Sequence, residues 1–556
     1  MTIPTEPGLP AADEAPRARA DGADPERAPE LRTERTVGED FAFLFDHRYP
    51  ILGAVVVLLV VSYVAKGAWA GGVDIWEHAA AARELAARPF DPRHPLLAGV
   101  DAPHQFFSPY HLALGMLSRV TGLSIIAVFN IASVANVVLL VVGLRLFVNG
   151  LGLRRHTDFW ALVFMLLLWG PGAWVFSGFH HFDVLPLVSS YPSTFAKGAV
   201  FVALWAHLKF LRSGNHRWLL PTLAISFVII LAHPVNAVGL GVGVLALAWT
   251  IPDERRDRAL VLTVAVLGAS MVLAVLWPYY SVTELLFGAG QEAFRAAGDA
   301  GDADMYKNVP SRLALALVVF PFVYRRLQAW RRDPLVLMFV GLIAAYLYGY
   351  FTEDWSFGRL IASAQIVASI ILAEERAVVG EMAAALGELG RPLQRWVQVT
   401  TAALVLAGLF FLRNGFDVLP ERLVGGAPYH WVHGYVDPVE ISDFAYLREH
   451  GRTYPVVISD LYTSLEVPTF GPKVLEVARA QAFVDTSERG SDQSTFYDPA
   501  TTNETRRQII AKHGVTLLII ATVDLADEKK KLQPLFELGR EVARNRRFVY
   551  VDLRGR

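Results

Sequence analysis

The residue types that most often take part in chemistry lie in this chain between long apolar segments rather than inside them. The loop after the first apolar segment contains Asp74, Glu77 and His78. Asp74 and His78 are four residues apart, so a helix would place both side chains on one face. Carboxylate and imidazole groups accept and donate protons and also bind metal ions, which makes this loop the first candidate site.

Later loops, and the apolar segments beside them, add further polar side chains. These are His180, His181, Asp183, Lys197, His233, Tyr279 and Arg359. Polar groups at membrane depth are energetically unfavourable and are therefore candidates for function. At least four separate loops contribute to this set, and that convergence favours one shared site.

Each of these residues also has a structural interpretation. A loop carboxylate such as Asp74 is often only solvated, and His180 and His181 can lie at the membrane interface. The pair His233-Pro234 can form a simple hairpin turn. Arg359 can extend its side chain to a lipid phosphate, and aromatic residues can form an interfacial belt. The sequence leaves both interpretations open for each residue taken alone.

The composition indicates that these loops connect membrane spans. Hydrophobic residues make up 53% of the 556 residues and charged residues only 19%, whereas soluble domains contain roughly 25% charged residues. The formal net charge is −2. These values exclude a disordered chain, a basic nucleic-acid-binding protein and a soluble enzyme as descriptions of the whole chain. The absence of cysteine excludes disulfides, thiolate metal sites and a cysteine nucleophile.

Apolar runs of roughly 17–25 residues, the length that spans a bilayer, recur along the chain. About eleven spans are predicted, at 50–66, 123–147, 157–177, 194–212, 217–233, 235–251, 259–277, 310–325, 334–351, 359–376 and 395–412. The apolar stretch 109–121 is short and carries Arg119, so it is predicted to be an interfacial or re-entrant helix.

Lysine and arginine are concentrated in alternate connections, and the connections 178–193 and 351–358 contain none. The basic connections are predicted to face the cytoplasm. This orientation places the N-terminal tail inside. It places the loop 67–122, the polar residues described above and the C-terminus outside.

The two ends of the chain are more polar than the middle. Residues 1–45 are polar and are predicted to form a disordered cytoplasmic tail. Residues 46–412 form the predicted transmembrane domain, and residues 413–556 a small extracytoplasmic α/β domain. In the latter, strands are predicted at 455–459, 473–477, 516–521 and 548–552, and helices at 439–450, 503–513 and 526–545. Ser459, Asp460 and Asp485 follow strand ends and are either ligand-binding residues or helix caps.

This architecture resembles the GT-C superfamily of integral-membrane glycosyltransferases, which take a sugar from a polyprenyl-phosphate-linked donor. The resemblance rests on one span followed by a long outer loop with the motif Asp74-Ile-Trp-Glu-His78, on about ten further spans and on the C-terminal domain. Shorter motifs that support it are the stretch 88–95, His233-Pro234 and Phe357-Gly-Arg359. The resemblance covers nearly the whole chain beyond residue 45.

The resemblance implies roles for individual residues. Asp74 would be the general base that takes the proton of the acceptor hydroxyl. Arg359, with Lys197 and His233, would bind the donor phosphate. The residues that would contact substrate are Glu77, His78, His180, His181, Asp183 and Tyr279.

A metal cofactor is left open by the resemblance, because some families of this fold use a divalent ion such as Mg or Mn and others do not. The candidate ligands are Asp74, His78 and Asp183, but no motif of fixed ligand spacing such as H-E-x-x-H occurs. The implied partners are the lipid-linked donor, a glycan, lipid or protein acceptor and membrane lipids, with no nucleic acid. The implied location is a bacterial inner membrane.

Two other functions fit a polytopic membrane protein. A transporter or flippase would place charges in the middle of its spans, often in broken helices of paired repeats. A non-catalytic partner of a cell-envelope polysaccharide assembly system would not need Asp74 and Arg359 together. The sequence shows few charges in the middle of the predicted spans and no evident repeat.

Overall fold

The computed structural model describes residues 48–65, 74–288, 301–418, 441–522 and 532–555. The predicted tail at 1–45 lies outside these ranges. Within them, seven helices are long and apolar enough to cross a membrane, and three shorter helices are also apolar. The polytopic helical fold predicted from the sequence is therefore confirmed.

The principal helices are numbered here in chain order. They are α1 Arg48–Ala65, α2 Asp74–Ala87, α3 Pro109–Thr121, α4 Ile125–Gly150, α5 Thr157–Leu167, α6 Pro192–Ser213, α7 Leu219–Ala232, α8 Pro234–Trp249, α9 Asp253–Val275, α10 Pro334–Phe351, α11 Leu360–Ala385, α12 Arg391–Phe411, α13 Ser487–Tyr497 and α14 Asn503–His513. Shorter α-helices are Leu185–Val188, Val282–Phe287, Val309–Arg312, Phe320–Leu327, Ala445–His450 and Thr463–Glu466.

Two predicted spans differ from the structure. The span at 157–177 is helical only over α5, and loop residues follow to 184. The span at 310–325 is divided into Val309–Arg312, a 3₁₀ segment at Ala316–Val319 and Phe320–Leu327. Pro321, near the start of the last piece, has no backbone N–H to donate, which explains why the α-helix begins anew there.

The centre of the helical domain is formed by α4 and α6. Gly143 of α4 faces Gly198 of α6 so closely that a Cβ atom on Gly143 would lie 2.6 Å from the carbonyl oxygen of Gly198. Small residues permit this close approach, which is typical of membrane helix pairs. The most apolar part of α6 is 83% buried, whereas that of α1 is 28% buried, so α6 is central and α1 peripheral.

A network of ion pairs ties the far half of α11 to neighbouring segments. Glu374 accepts hydrogen bonds from the side chains of Arg154 and Thr157, both at 2.8 Å. Glu375 pairs with Arg325 and, at 2.9 Å, with Arg326. The three arginines come from connections that the sequence predicts to lie on one side, and the structure brings them to one end of α11.

The C-terminal region contains a five-stranded sheet in the order β2-β1-β3-β5-β4. The strands are β1 Val456–Ile458, β2 Lys473–Val474, β3 Leu517–Ala521, β4 Arg540–Arg544 and β5 Phe548–Asp552. Strands β1, β2 and β3 are parallel, and β5 and β4 are antiparallel to their neighbours. The small α/β layer is confirmed.

The helix predicted at 526–545 is wrong at its C-terminal end, where residues 540–544 form strand β4. Residues 523–531 lie outside the described ranges. The segment 540–544 is charged and half-exposed, so its own pattern does not indicate a strand. Its pairing with the buried strand β5 supplies the backbone hydrogen bonds, and this tertiary context overrides local preference.

The first outer loop packs against this sheet. The backbone nitrogen of Val474 donates to the carbonyl oxygen of Leu96, and that of Ala98 donates to Val474, both at 2.9 Å. Leu97 thus pairs with the edge of β2 as a parallel bridge. Within the loop, Arg119 of α3 donates to the last carbonyl groups of α2. The loop and the C-terminal domain therefore hold α2 between them.

Candidate active site

The acidic motif forms the beginning of α2. Asp74 is the first helical residue, and Glu77 and His78 lie one turn further on. Glu77 is completely buried and His78 is 5% exposed, whereas Asp74 is half-buried. Carboxylates in a first turn are stabilised by the free backbone N–H groups of the helix, which accounts for their position.

Arg479 from the C-terminal domain meets both carboxylates. Its Nη1 forms an ion pair with Asp74 and lies 3.2 Å from Oε2 of Glu77. Burial acts to lower the pKa of Arg479, but Asp74 and Glu77 raise it above its usual value, so the guanidinium remains charged. The sequence analysis did not identify Arg479, because no local motif marks a residue 405 positions from Asp74.

Glu77 differs from an ordinary glutamate in its proton affinity. Burial raises its pKa to about 7, an effect that the charge of Arg479 opposes and that of Asp74 increases. Its Oε1 has no hydrogen-bond partner among the described residues. Glu77 therefore exchanges a proton near neutral pH, which is the range of an effective acid–base group.

His78 continues the site away from the carboxylates. Its Nδ1 lies 2.9 Å from Nε2 of His111, and Nδ1 of His111 lies 2.8 Å from Oγ of Ser108. Burial, and then the charge of Arg479, lower the pKa of His78 well below its usual value. Both imidazoles are consequently neutral, and the chain of hydrogen bonds fixes their ring orientation.

Three basic residues form a second group, which is here called the basic cluster: Lys197, His233 and Arg359. Lys197 of α6 donates to Oγ of Ser363 and is only 4% exposed. His233 occupies the turn between α7 and α8. Arg359 and Lys197 both act on its ring electrostatically.

Arg359 ends the 3₁₀ turn Trp355–Arg359 and directly precedes α11. Its Nη2 lies 2.8 Å from Oδ1 of Asp302, and its Nη1 donates to Oγ of Ser177 at 2.6 Å. Asp302 is 6% exposed, so this carboxylate is an internal counter-ion that orients the guanidinium. The guanidinium of Arg359 therefore has a partner inside the protein, and a lipid phosphate is not needed to balance its charge.

His180 adjoins the basic cluster, and His181 lies beside it. His180 is 1% exposed, and the backbone of Gly178 interacts with its ring. Lys197 and His233 both act on its ring electrostatically. His181 instead bonds the carbonyl oxygen of Trp174 through Nε2 at 2.9 Å.

The two remaining predicted residues make contacts that hold segments together. Asp183 accepts a hydrogen bond of 2.7 Å from the backbone nitrogen of Gly415, just after α12. The hydroxyl group of Tyr279 donates to the carbonyl oxygen of Pro89 in the first outer loop. Their predicted contact with substrate remains a prediction.

His78 interacts electrostatically with a member of each group. Arg479, the partner of Asp74 and Glu77, acts on its ring, and so does His233 of the basic cluster. Since α2, α6, α11 and the turn before α8 supply these groups, their proximity depends on the tertiary packing.

The candidate metal ligands do not meet. Among the residues that the structure describes, no group of three or more histidine, aspartate and glutamate side chains could hold a metal ion. Asp74 pairs with Arg479, His78 bonds His111, and Asp183 bonds Gly415.

Asp460 and Asp485 of the C-terminal domain make local hydrogen bonds. Oδ1 of Asp460 accepts from the backbone nitrogens of Tyr462 and Thr463, at 3.0 and 2.9 Å. Oδ1 of Asp485 accepts from that of Ser487 at 2.9 Å. Such bonds to the backbone two or three residues ahead are typical of turns.

Comparison with protein-family models finds no match, and comparison with curated proteins finds none either. Solved structures do match. ArnT from Cupriavidus metallidurans, bound to undecaprenyl phosphate, aligns with 91% of this chain and 98% of its own at a TM-score of 0.54 and 13% identity. The oligosaccharyltransferase of Archaeoglobus fulgidus aligns with 87% of this chain and 70% of its own at a TM-score of 0.52 and 12% identity.

A second structure of the archaeal oligosaccharyltransferase, in complex with Zn and sulfate, aligns with 85% of this chain and 68% of its own. Its TM-score is 0.52 and its identity is 13%. At this level of identity the likeness concerns the fold. The chain shares its fold with ArnT and with the archaeal oligosaccharyltransferase, in agreement with the architecture expected from its sequence.

Proposed function

We propose that this chain is a membrane glycosyltransferase that moves a sugar from a polyprenyl-phosphate-linked donor to an extracytoplasmic glycan, lipid or protein acceptor. One observation supports the proposal: in a fold shared with ArnT, the buried His78 is acted on electrostatically both by Arg479, the partner of the two carboxylates, and by His233 of the basic cluster. Transfer from a phosphate-linked donor needs a base at the acceptor and positive charge at the leaving group.

The basic cluster is the proposed binding site for the donor phosphate. When the bond between the anomeric carbon and the phosphate oxygen breaks, negative charge develops on that oxygen. Arg359, held by Asp302 and Ser177, and Lys197 are placed to stabilise this charge without rearranging. ArnT, whose fold this chain shares, was crystallised with undecaprenyl phosphate, which is a ligand of this chemical class.

Asp74 is the proposed general base. It would take the proton of the acceptor hydroxyl as the hydroxyl oxygen attacks the anomeric carbon, while polyprenyl phosphate departs. Glu77, with a pKa raised by burial to about 7, is available to receive that proton or to bind the acceptor. Asp74 is assigned the role of base rather than Glu77 because Asp74 is half-exposed, whereas Glu77 is completely buried.

The proposed setting follows from the charge pattern of the connections. Residues 46–412 form the transmembrane domain of a bacterial inner membrane protein, with the site on the outer side. Residues 413–556 form an extracytoplasmic domain that covers α2. The hydrogen bonds between the first outer loop and β2 support a fixed position for this domain over the site.

The test is sugar transfer by the full chain in proteoliposomes that contain polyprenyl-phosphate sugars. Asp74→Asn is expected to abolish transfer and Arg359→Gln to weaken donor binding, with both proteins folded. Asp101→Asn, which changes an exposed carboxylate in the same loop, is the matched control and should transfer sugar normally. Wild-type transfer rates for Asp74→Asn would refute the proposed base.

A further inference from the structure

The positive charge beside the acidic pair comes from the other end of the chain. Arg479 lies in the segment between β2 and α13, and its side chain is 22% exposed. One nitrogen, Nη1, contacts both Asp74 and Glu77. A single positive group between two carboxylates occupies the place where a bound cation would otherwise be needed to balance their charge.

The backbone around Arg479 is held on two sides. The backbone nitrogen of Ala478 donates to the carbonyl oxygen of Leu461 at 3.3 Å, which continues the parallel pairing of β1 and β2. On the other side, Gln481 donates to the carbonyl oxygen of Arg479 at 3.0 Å and accepts from Nε2 of His104 at 3.1 Å. The guanidinium is therefore placed by the sheet and by the first outer loop together.

We propose that the guanidinium of Arg479, rather than a divalent cation, is the positive charge that positions Asp74 and Glu77 in the reaction of this chain. The part of this inference that concerns sugar transfer rests on the proposed function. Arg479 is a positioning residue in this scheme. It fixes the direction of the Asp74 carboxylate through their ion pair.

The ligands around Asp74 do not suit a divalent ion. Magnesium takes six oxygen ligands in near-octahedral geometry, and each ion of this class is repelled by a fixed guanidinium. The imidazole on the same helix, His78, uses its Nδ1 for His111. The archaeal oligosaccharyltransferase was crystallised with Zn and sulfate, whereas the acidic pair of this chain already has a cationic partner.

The first test needs no activity. Binding of Mn²⁺ to the purified full chain in detergent is measured by electron paramagnetic resonance for the wild type and for Asp74→Asn. Equal numbers of bound Mn²⁺ are expected. One additional Mn²⁺ in the wild type, lost in Asp74→Asn, would overturn the inference even if the chain transferred no sugar.

The second test uses transfer of a lipid-linked sugar. A chelator is expected to leave the rate unchanged, and Arg479→Gln should lower kcat about tenfold or more with little change in the KM for the donor, because positioning of the reacting group is lost while donor binding is kept. Arg544→Gln, which removes an exposed arginine paired with Glu541, is the control and should keep the wild-type kcat and KM. Loss of transfer on chelation with recovery in Mn²⁺, or an unchanged kcat in Arg479→Gln, overturns the inference.

A chain that transfers no sugar under any condition would refute the proposed function. The Mn²⁺ measurement then still decides whether a metal ion or Arg479 occupies the acidic pair. The two proposals therefore fail in different experiments.

Discussion

The raised pKa of Glu77 makes a quantitative prediction about stability and pH. Burial raises this pKa from 4.5 to about 7, despite the opposing charge of Arg479. Between these two pH values the folded protein binds more protons at this site than the unfolded protein. Stability is therefore full below about pH 4.5 and is lost as the pH rises through about 7.

The magnitude follows from the size of the shift. At about 1.4 kcal/mol for each pKa unit, ionising Glu77 lowers the free energy of unfolding by roughly 3 kcal/mol. Glu77→Gln keeps the shape of the side chain but cannot ionise. The free energy of unfolding of this variant should therefore not fall with rising pH on account of residue 77. Unfolding entropy grows with chain length, so for 556 residues this difference corresponds to roughly 2–3 °C in Tm.

The assay is thermal unfolding of both proteins in detergent between pH 5 and pH 8. The Tm of Glu77→Gln minus that of the wild type should rise by this amount across the range. Glu541→Gln is the control, because its exposed carboxylate pairs with Arg544 and has a lowered pKa. It should show no change above pH 5. A constant difference between Glu77→Gln and wild type would refute the reasoning.

Three further predictions concern other contacts. Gly143→Ala places a methyl group against a backbone oxygen and should destabilise the protein by about 1–3 kcal/mol. In the control Gly268→Ala the added methyl group meets nothing within 4 Å and should not destabilise the protein. Thermal unfolding of the two variants measures the difference. Asp302→Asn removes the counter-ion that orients Arg359 and should weaken donor binding roughly tenfold in a binding assay, without changing Tm by more than a few degrees. Lys473→Met removes donors to Glu84 and to two backbone carbonyls of the first outer loop, and limited proteolysis should then cleave that loop faster than in the wild type.

The C-terminal domain contributes to the site as well as covering it. Thr469 donates to the carbonyl oxygen of Trp76 in α2 at 3.1 Å, and Arg83 of α2 donates to that of Pro468 at 3.2 Å. These contacts and the ion pair of Arg479 with Asp74 join α2 to the domain along its length. Deleting the domain would therefore disturb the acidic pair directly.

The fold could be predicted because its signals are local. Apolar runs of bilayer length and short buried strands are recognisable within windows of about 20 residues, and backbone hydrogen bonding in lipid permits few alternatives to a helix. Two elements were not predicted from such local signals. Strand β4 at 540–544 depends on pairing with β5, and the predicted span at 310–325 is divided, with a new helical piece beginning beside Pro321.

The sequence by itself determined the polytopic helical architecture, the small α/β domain and the set of polar residues from which the site is built. Only the tertiary structure decided which of these residues meet. It paired Asp74 and Glu77 with Arg479 and gave Arg359 the counter-ion Asp302, while Asp183 received a backbone partner at Gly415. The physical reason is that helix and strand formation depend on neighbouring residues, whereas a counter-ion is chosen by proximity in space and can lie 405 residues away.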